Sequence, residues 1–537
     1  MVWFRRIRTF IKVTIDFRIM TDTKIRILWV DDEIEHLRAH ILFLTEKGYE
    51  IEKATNGQDA LEMVKTEFYD LIFLDENMPG LSGLETLHRL KELRSEVPVI
   101  MITKSEEEDI MEEAIGNKIA DYLIKPVNPR QILLSIKKNL EKRQLQSRAV
   151  TSAYQSQFGK ITLQINDSFS HEDWVDVYKR LVYWELELEG GDGAMDEVLK
   201  MQKTEANQAF SRFIKNNYLD WLQGDQSPLM SNHLVKNKLL PLLEQGEKVF
   251  FIVIDNFRYD QWELIKREIT SDFIIEDESP YFSILPTATQ YARNAIFSGL
   301  MPSVIKENYP QYWVDDDSEE GKNLYEGELL GTLFERFRKK VKYSYHKVSD
   351  ADGGKRLIEG YHTMLGNDVN AIVFNFVDML SHARTEVKMI KELAKDESAY
   401  RSLTLSWYNH SVLKELLKRL KDENVKVVIT TDHGTTRVQN PVKVVGDRSV
   451  NTNLRYKQGK NLGYEAKDVF EIKQPEKAFL PRPNVSTTYI FARNNDFFAY
   501  PNNYNYYVSY YRDTFQHGGI SLEEMIIPCV TLKRRSS

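Results

Sequence analysis

The sequence predicts a multidomain α/β protein, with two α/β domains built on parallel or mostly parallel sheets and a helical stretch between them. Three observations predict it. Short β-branched and aromatic runs alternate with amphipathic helical runs up to about residue 140, and again from residue 236, as in βαβ units. Residues 141 to 235 show helical periodicity without chemistry-bearing motifs. Several strand-like runs end in Asp, Asp-Asp or Asp-His, at the carboxyl edge where parallel sheets collect functional groups.

A chain of 537 residues is too long for one core, so two to four domains are expected. Hydrophobic content of 42% and charged content of 28% are those of a globular protein. Lys plus Arg is 72 and Asp plus Glu is 80, a net charge of -8. That excludes a generally basic surface of the kind duplex DNA binding needs, and no basic recognition helix is evident. The single cysteine, Cys529, excludes an intrachain disulfide and fits a reducing cytoplasm. Residues 1–19 are basic and apolar, but charges interrupt every apolar run, so they read as an extension or a mis-assigned start before Met20, with an amphipathic membrane anchor as the alternative. No other stretch is long and apolar enough to span a bilayer.

Residues 20–140 alternate strand and helix five times. IRILWVDD, YEIEKAT, YDLIFLDENMPG, VPVIMITK and ADYLIKP are the strands; EIEHLRAHILFLTEKG, NGQDALEMVKTE, LSGLETLHRLKELRSE and SEEEDIMEEAIGNKI are helices, with a last one from Pro129. Asp31, Asp32 and Asp75 converge at the strand ends. Clustered carboxylates repel unless a cation sits among them, and oxygen-only ligands suit Mg²⁺. Lys125, before a proline, reaches the same point. DD, LDENMPG, T and KP in this order resemble the receiver domain of two-component response regulators, a flavodoxin-like fold with a five-stranded parallel sheet. The resemblance implies Asp75 as phosphoacceptor and Asp31, Asp32 and the backbone of Asn77 as Mg²⁺ holders. It also implies phosphoryl contacts from Thr103 and Lys125, with Tyr122 as switch aromatic.

Residues 141–235 read as a helical bundle joining two domains. Trp174, Val177, Tyr178, Leu181 and Trp184 recur at helical spacing, a stripe better explained as core than as a binding site. Gly190, Gly191 and Gly193 break the run. His233 reads as an ordinary exposed histidine.

Residues 236–537 carry the second set of strand ends. KVFFIVID ends in Asp255, AIVFNFVD in Asp378 with His382 four residues on, and VKVVITTDHG in Asp432 and His433. His517 follows in FQHGG. Thr287 and Thr289 lead into a helix. A threonine there caps the helix, or serves as a nucleophile whose pKa a metal lowers. Each pair is a weak signal alone. Together the mixed Asp and His donors suit zinc or manganese. Thr430 and Thr431 read as strand residues.

The segments VIDNFRYD, LPTATQYARNAIFSG, NFVDMLSH, TDHG and HGGISLEEMIIP resemble, in order, the PglZ branch of the alkaline phosphatase superfamily. That resemblance implies an alkaline-phosphatase-like α/β domain with a mostly parallel sheet, and two zinc ions. One would be held by Asp255, Asp432, His433 and Thr289, the other by Asp378, His382 and His517. Thr289 would be the nucleophile of an in-line phosphoryl displacement, through a phosphothreonine intermediate. Arg258 and Asn294 are candidates for phosphate contacts. So is Arg455, within an insertion that also carries Lys443, Arg448, Lys457 and Lys460; a solvated charged loop is the alternative. The aromatic run Phe497 to Asp513 fits stacked bases, or sheet packing, which explains it at least as well.

The whole order resembles the PorX-type response regulators associated with type IX secretion. That implies a partner sensor histidine kinase, contacts with a sigma factor or secretion component, and phosphodiesterase action on nucleotides, short or cyclic oligonucleotides. Phosphorylation of Asp75 would drive homodimerisation through the face carrying Tyr122. Two other outputs stay open: a non-catalytic metal-binding adaptor and a phosphomonoesterase.

Overall fold

Each of the chain's two compact units is built on a sheet whose central strands are buried along nearly their whole length. The computed structural model describes residues 25–94, 97–104, 119–189, 194–224, 227–316, 321–386, 394, 396–446 and 450–535, without the side chains of 141–148, 194 and 382–386. The extension at 1–19, most of the helix read from Ser105, Gly190, Gly191, Gly193 and Arg448 lie outside the described residues.

The first unit, up to Ala153, is built on β1 (Arg26–Val30), β2 (Glu50–Ala54), β3 (Leu71–Asp75), β4 (Val99–Thr103) and β5 (Asp121–Ile124). All pairings are parallel, in the order β2-β1-β3-β4-β5. Alternate residues of the central strands feed two cores. Leu28, Val30, Ile72, Leu74 and Met101 meet α2 (Gly57–Thr66) and α3 (Gly83–Leu93). Ile27, Trp29, Phe73, Ile100 and Ile102 meet α1 (Arg38–Glu46) and Ile132 and Ile136 of α4 (Pro129–Asp167). Ser82 and Glu85 close a capping box at the start of α3. The five-stranded parallel sheet expected for 20–140 is present.

The second unit begins at Tyr154, within α4, and includes α5 (His171–Leu188) and α6 (Ala194–Trp221). The aromatic stripe is buried as core: Trp174 packs on Phe210 and Phe213 of α6. These helices also pack on the sheet domain. Phe282 meets His171, Phe210 and Trp221, and Tyr178 meets Tyr259. The reason is aromatic surface on more than one face of each helix, more than a pairwise contact can bury.

The large sheet comprises β6 (Val249–Ile254), β7 (Phe273–Glu278), β8 (Tyr343–Val348), β9 (Val369–Phe374), β10 (Lys426–Thr430) and β11 (Cys529–Arg534), in the order β7-β11-β10-β6-β9-β8. β6, β8, β9 and β10 are mutually parallel, and β11 runs antiparallel to both neighbours. The central strands β6 and β9 are buried at every residue, which their continuous apolar sequences dictate. The helices that matter below are α7 (Tyr259–Ile269), α8 (Thr289–Ser298), α9 (Glu326–Arg336), α10 (Phe376–Glu386) and α11 (Glu397–His410). Among the described residues no helix is long and apolar enough to cross a membrane.

Candidate active site

Asp255, Asp378 and Asp432 come together because β6 lies between β9 and β10. Thr430 pairs with Val253, so continuing the register places Asp432 level with Asp255. Asp255 leaves β6 donating its N–H to Phe374 O at 2.9 Å. Asp378 sits in the first turn of α10, directly after β9.

Two histidines complete the cluster. His433 Nδ1 lies 3.0 Å from the Gly434 carbonyl oxygen. A carbonyl only accepts, so Nδ1 carries the hydrogen and Nε2 presents a lone pair. That Nε2 is 3.1 Å from Thr289 Oγ1 and 3.9 Å from both Asp255 Oδ1 and Asp432 Oδ2. One ligand atom each from Asp255, Asp432 and His433 lie within 4.8 Å of one another, and all three residues are buried. His517 follows the same logic. Its Nδ1 lies 3.2 Å from Thr287 O, and its Nε2 is 3.7 Å from Asp378 Oδ1. The His433 and His517 rings stack with centroids 4.2 Å apart. His382 falls on α10, with its side chain outside the described residues.

Thr287 and Thr289 separate by role. Thr287 Oγ1 donates to Gly519 O at 2.8 Å and accepts from Gly518 N at 3.1 Å, fastening the turn that carries His517. Thr289 is the first residue of α8, and the capping position belongs to Ala288, which offers no side-chain cap. The Thr289 hydroxyl is directed instead to His433 Nε2 and, at 3.4 Å, to Asp255 Oδ1. Helix capping therefore does not account for Thr289.

Two glycines are dictated by close approach. A Cβ on Gly434 would sit 2.0 Å from Glu523 O. Gly518 has φ +121°, and a Cβ there would meet Tyr456 Cδ1 at 2.6 Å.

Arg293, one helical turn after Thr289, is a site residue that sequence reasoning missed. Its guanidinium lies 2.7 Å from Asp255 Oδ2 and 3.8 Å from Asp432 Oδ2, while Nε donates to the buried Glu326 of α9. The spacing of four from a candidate nucleophile was the available signal. Thr431, read as a strand residue, lies beyond β10; its Oγ1 donates to His433 O at 2.9 Å and accepts from Phe257 N at 3.0 Å.

The electrostatics are those of a charge-crowded, water-poor site. Burial, with Asp432 and Asp378 adding to it, outweighs Arg293 and pushes the Asp255 carboxyl well up. For Asp432 burial acts in the same sense, but His433 in its protonated form and Arg293 outweigh it and hold that carboxyl low. Asp432 Oδ2 is buried without a hydrogen-bond partner among the described residues. A buried carboxylate oxygen in that condition calls for a cation. With both imidazoles presenting Nε2, the donor set fits divalent ions that accept mixed oxygen and nitrogen ligation.

Three candidate phosphate contacts do not reach this cluster. Arg258 is 1% exposed, Nε donating to Asp260 at 2.9 Å and the guanidinium lying 2.6 Å from Glu397. Arg455 is fully buried against Glu524, at 3.1 Å from Nε, and the Asp496 carbonyl. Both are consumed by internal acceptors. Asn294 is buried too; its Oδ1 accepts from Asn323, which also donates to the Thr289 carbonyl, so it braces the start of α8. Of the insertion's lysines, Lys457 is 1% exposed, with Nζ on Asn451 O at 2.7 Å. The aromatic run divides: Phe497 and Phe498 are buried sheet residues, while α12 (Tyr504–Tyr511) exposes Tyr506, Tyr507 and Tyr510.

In the first unit Asp31, Asp32 and Asp75 form a second carboxylate cluster, Asp31 and Asp75 buried and Asp32 exposed. Lys125 Nζ bridges Asp31 at 2.9 Å and Asp75 at 3.0 Å. Burial pushes the Asp75 carboxyl up, Asp31 and Asp32 reinforcing it against Lys125. Asn77 is exposed two residues on. Thr103 Oγ1 donates to the neighbouring Glu76. Burial raises the Tyr122 hydroxyl, with Thr103 opposing. The oxygen-only donor set fits Mg²⁺.

Comparison with known proteins matches residues 234–532 to the BREX system PglZ alkaline phosphatase-like domain, residues 144–222 to the PorX response regulator linker domain, and residues 27–137 to the response regulator receiver domain. The chain is 33% identical over 142 residues to the transcriptional regulatory protein ZraR of Klebsiella oxytoca, covering 26% of this chain and 32% of that protein. It is 35% identical over 118 residues to the transcriptional regulatory protein SrrA of Staphylococcus aureus (strain COL), covering 22% and 48%. The chain thus spans about a third to a half of the length of these curated relatives. Among solved structures, a CheY-like receiver domain protein from Methanospirillum hungatei JF-1 matches at 31% identity and TM-score 0.22, covering 23% of this chain and 98% of that one. Chemotaxis protein CheY4 of Vibrio cholerae matches at 28% and 0.21, covering 22% and 100%.

Proposed function

The chain belongs to the PglZ alkaline phosphatase-like family, in the PorX-type order of receiver, linker and PglZ domain, and on that premise we propose that it is a response regulator whose output is a two-zinc phosphodiesterase. A receiver implies a phosphodonor such as a histidine kinase, and both domain types typically use divalent metals. The observation that carries the proposal is the Thr289 hydroxyl, turned away from helix capping and set 3.1 Å from His433 Nε2 and 3.4 Å from Asp255 Oδ1.

Asp255, Asp432, His433 and Thr289 would hold one zinc ion and Asp378, His382 and His517 the other. When bound, the ions supply Lewis-acid charge at the transferring phosphoryl group and lower the pKa of the attacking hydroxyl. Thr289 Oγ1 attacks phosphorus, the bond to the leaving alcohol breaks, and the hydroxyl proton ends on the departing alkoxide. Water then cleaves the phosphothreonine. Thr289 also opens α8, and the positive end of a helix favours phosphate oxygens. Arg293 holds Asp255 in place and, buried under the carboxylates, offsets their mutual repulsion.

The substrate class we propose is a short or cyclic oligonucleotide. Its support is α12, where Tyr506 is 64% exposed and Tyr507 and Tyr510 are part-exposed, offering ring faces to bases. Phosphorylation of Asp75 by a sensor histidine kinase would draw Thr103 from Glu76 and reorient Tyr122, favouring a homodimer. The output would act in the cytoplasm on type IX secretion, through a sigma factor or secretion component.

Turnover of mono- and diester substrates by wild type, Thr289→Ala and Thr289→Ser tests the enzyme. Diester hydrolysis should fall at least 10³-fold in Thr289→Ala and return in part with serine. Undiminished hydrolysis in Thr289→Ala would sink the nucleophile, and a strong monoester preference would turn the assignment to a phosphomonoesterase.

A further inference from the structure

We infer that Asn256 is a positioning residue that fixes the spacing of the two metal-binding halves of the site; this rests on the two-metal function proposed above. Asn256 follows Asp255 at the end of β6, the strand between β9 and β10. It has φ +61°, the left-handed region, where asparagine is the best tolerated residue after glycine. That turn sends its two ends to opposite sides. The backbone N–H goes to Asp432 Oδ1, at 3.4 Å. The side-chain Nδ2 donates to Asp378 Oδ1 at 3.2 Å and to Ser381 Oγ at 3.0 Å. Ser381 in turn donates to the Asp378 carbonyl at 2.7 Å, so its oxygen is the acceptor toward Asn256 and the amide orientation is set.

One residue thus touches a carboxylate of each half, and those carboxylates arrive from different strand ends. Backbone conformation alone does not explain it. An asparagine chosen only for its φ spends its amide on local backbone, whereas this amide is spent on two side chains more than 120 residues away. It is 0% exposed, so solvent does not compete for the bond. Asp378 Oδ1 is also the oxygen nearest His517 Nε2. Holding that oxygen therefore orients the half built on Asp378 and His517 toward the half built on Asp432.

Asn256→Gly keeps the left-handed backbone and the N–H to Asp432 while deleting the amide. Ser381→Ala removes the amide's other anchor without touching the backbone of β6. Zinc titration of the metal-stripped full-length chain against a competing chelator reads both ions, and anomalous scattering assigns the weakened position. Partners of metal ligands typically matter 10- to 100-fold. The second ion should bind about 10- to 100-fold more weakly in Asn256→Gly and more weakly in Ser381→Ala, with the first ion unchanged. Two ions with unchanged affinities in both variants, or equal losses at both positions, would overturn the inference alone. Fewer than two tight zinc ions in the wild type would overturn the proposed function and the inference with it.

Discussion

Replacing Arg293 with methionine separates what the guanidinium does for the folded chain from what it does to a bound ion. Arg293 lies 2.7 Å from Asp255 and 3.8 Å from Asp432, and none of the three side chains is more than 2% exposed. With both carboxylates ionised, at an effective dielectric near 20 these separations correspond to about 6 and about 4 kcal/mol of attraction, before desolvation is subtracted. Removing one partner of such a buried pair costs about 3–5 kcal/mol net, and Glu326 loses a partner as well, keeping Tyr345 and Lys347. With zinc among the same carboxylates their charge is already compensated, so the cost should shrink by about 2 kcal/mol or more. Linkage then requires zinc to bind the variant about 30-fold more tightly than wild type. Urea unfolding followed by tryptophan fluorescence, in chelator and in saturating zinc, gives both stabilities, and a chelator competition gives the affinity. Equal destabilisation in both conditions, with unchanged or weaker zinc binding, would refute the account of Arg293 as a charge that substitutes for the metal.

Three other outcomes are expected. Burial lowers Lys457 from 10.5 to about 7, and among the described residues no carboxylate pairs with it. The unfolded chain binds the extra proton between those values, so wild-type stability should rise with pH from about 7 to 10.5; at about 1.36 kcal/mol per pH unit the span is up to about 5 kcal/mol. Lys457→Met should flatten that rise in pH-dependent unfolding, and an unchanged slope would contradict the burial argument. Arg455→Gln should destabilise by about 3 kcal/mol, because it strands Glu524 in the core, and should leave KM for any substrate unaltered; a raised KM at unchanged stability would restore Arg455 as a substrate contact. Beryllofluoride should convert the full-length chain from monomer to dimer in sedimentation, with Asp75→Asn unresponsive; a monomer in both states would remove dimerisation from the proposal.

The strand ends were legible because burial on both faces forces continuous apolar runs, and an Asp after KVFFIVI or VKVVIT stands out against them. His433 and His517 were legible because a glycine beside each marks a turn. Arg293 was weakly legible, since its spacing of four from Thr289 competes with the ordinary reading of an arginine as the solvent face of a helix; Asn256 was not, because only the sheet order shows which carboxylates flank it. Arg258 and Arg455 misled in the opposite direction. Proximity in sequence to a motif says nothing about a carboxylate that arrives 139 residues later, as Glu397 does for Arg258, or 69 later, as Glu524 does for Arg455. The tyrosine-rich run split at Asn502 and Asn503, where positive φ at Asn503 turns strand into helix; an Asn-Asn pair carried that signal beneath the aromatic pattern.

The place of β11 in the sheet bears on how the molecule is made. Residues 529–534 are the latest of the six strands to be synthesised, yet they insert between β7 and β10, pairing with both. Until then β10 has one open edge on the strand that carries Asp432 and His433. His517 reaches its partner Asp378 only after a further 139 residues of chain have been translated. A nascent or truncated chain can complete the receiver's carboxylate cluster early, since Asp31, Asp75 and Lys125 all precede residue 130. It can assemble the Asp and His cluster of the second unit only once His517 has been made. The order of synthesis thus sets the receiver's cluster in place before the one in the second unit, and pairings between strands so far apart in sequence make the second step the slow one.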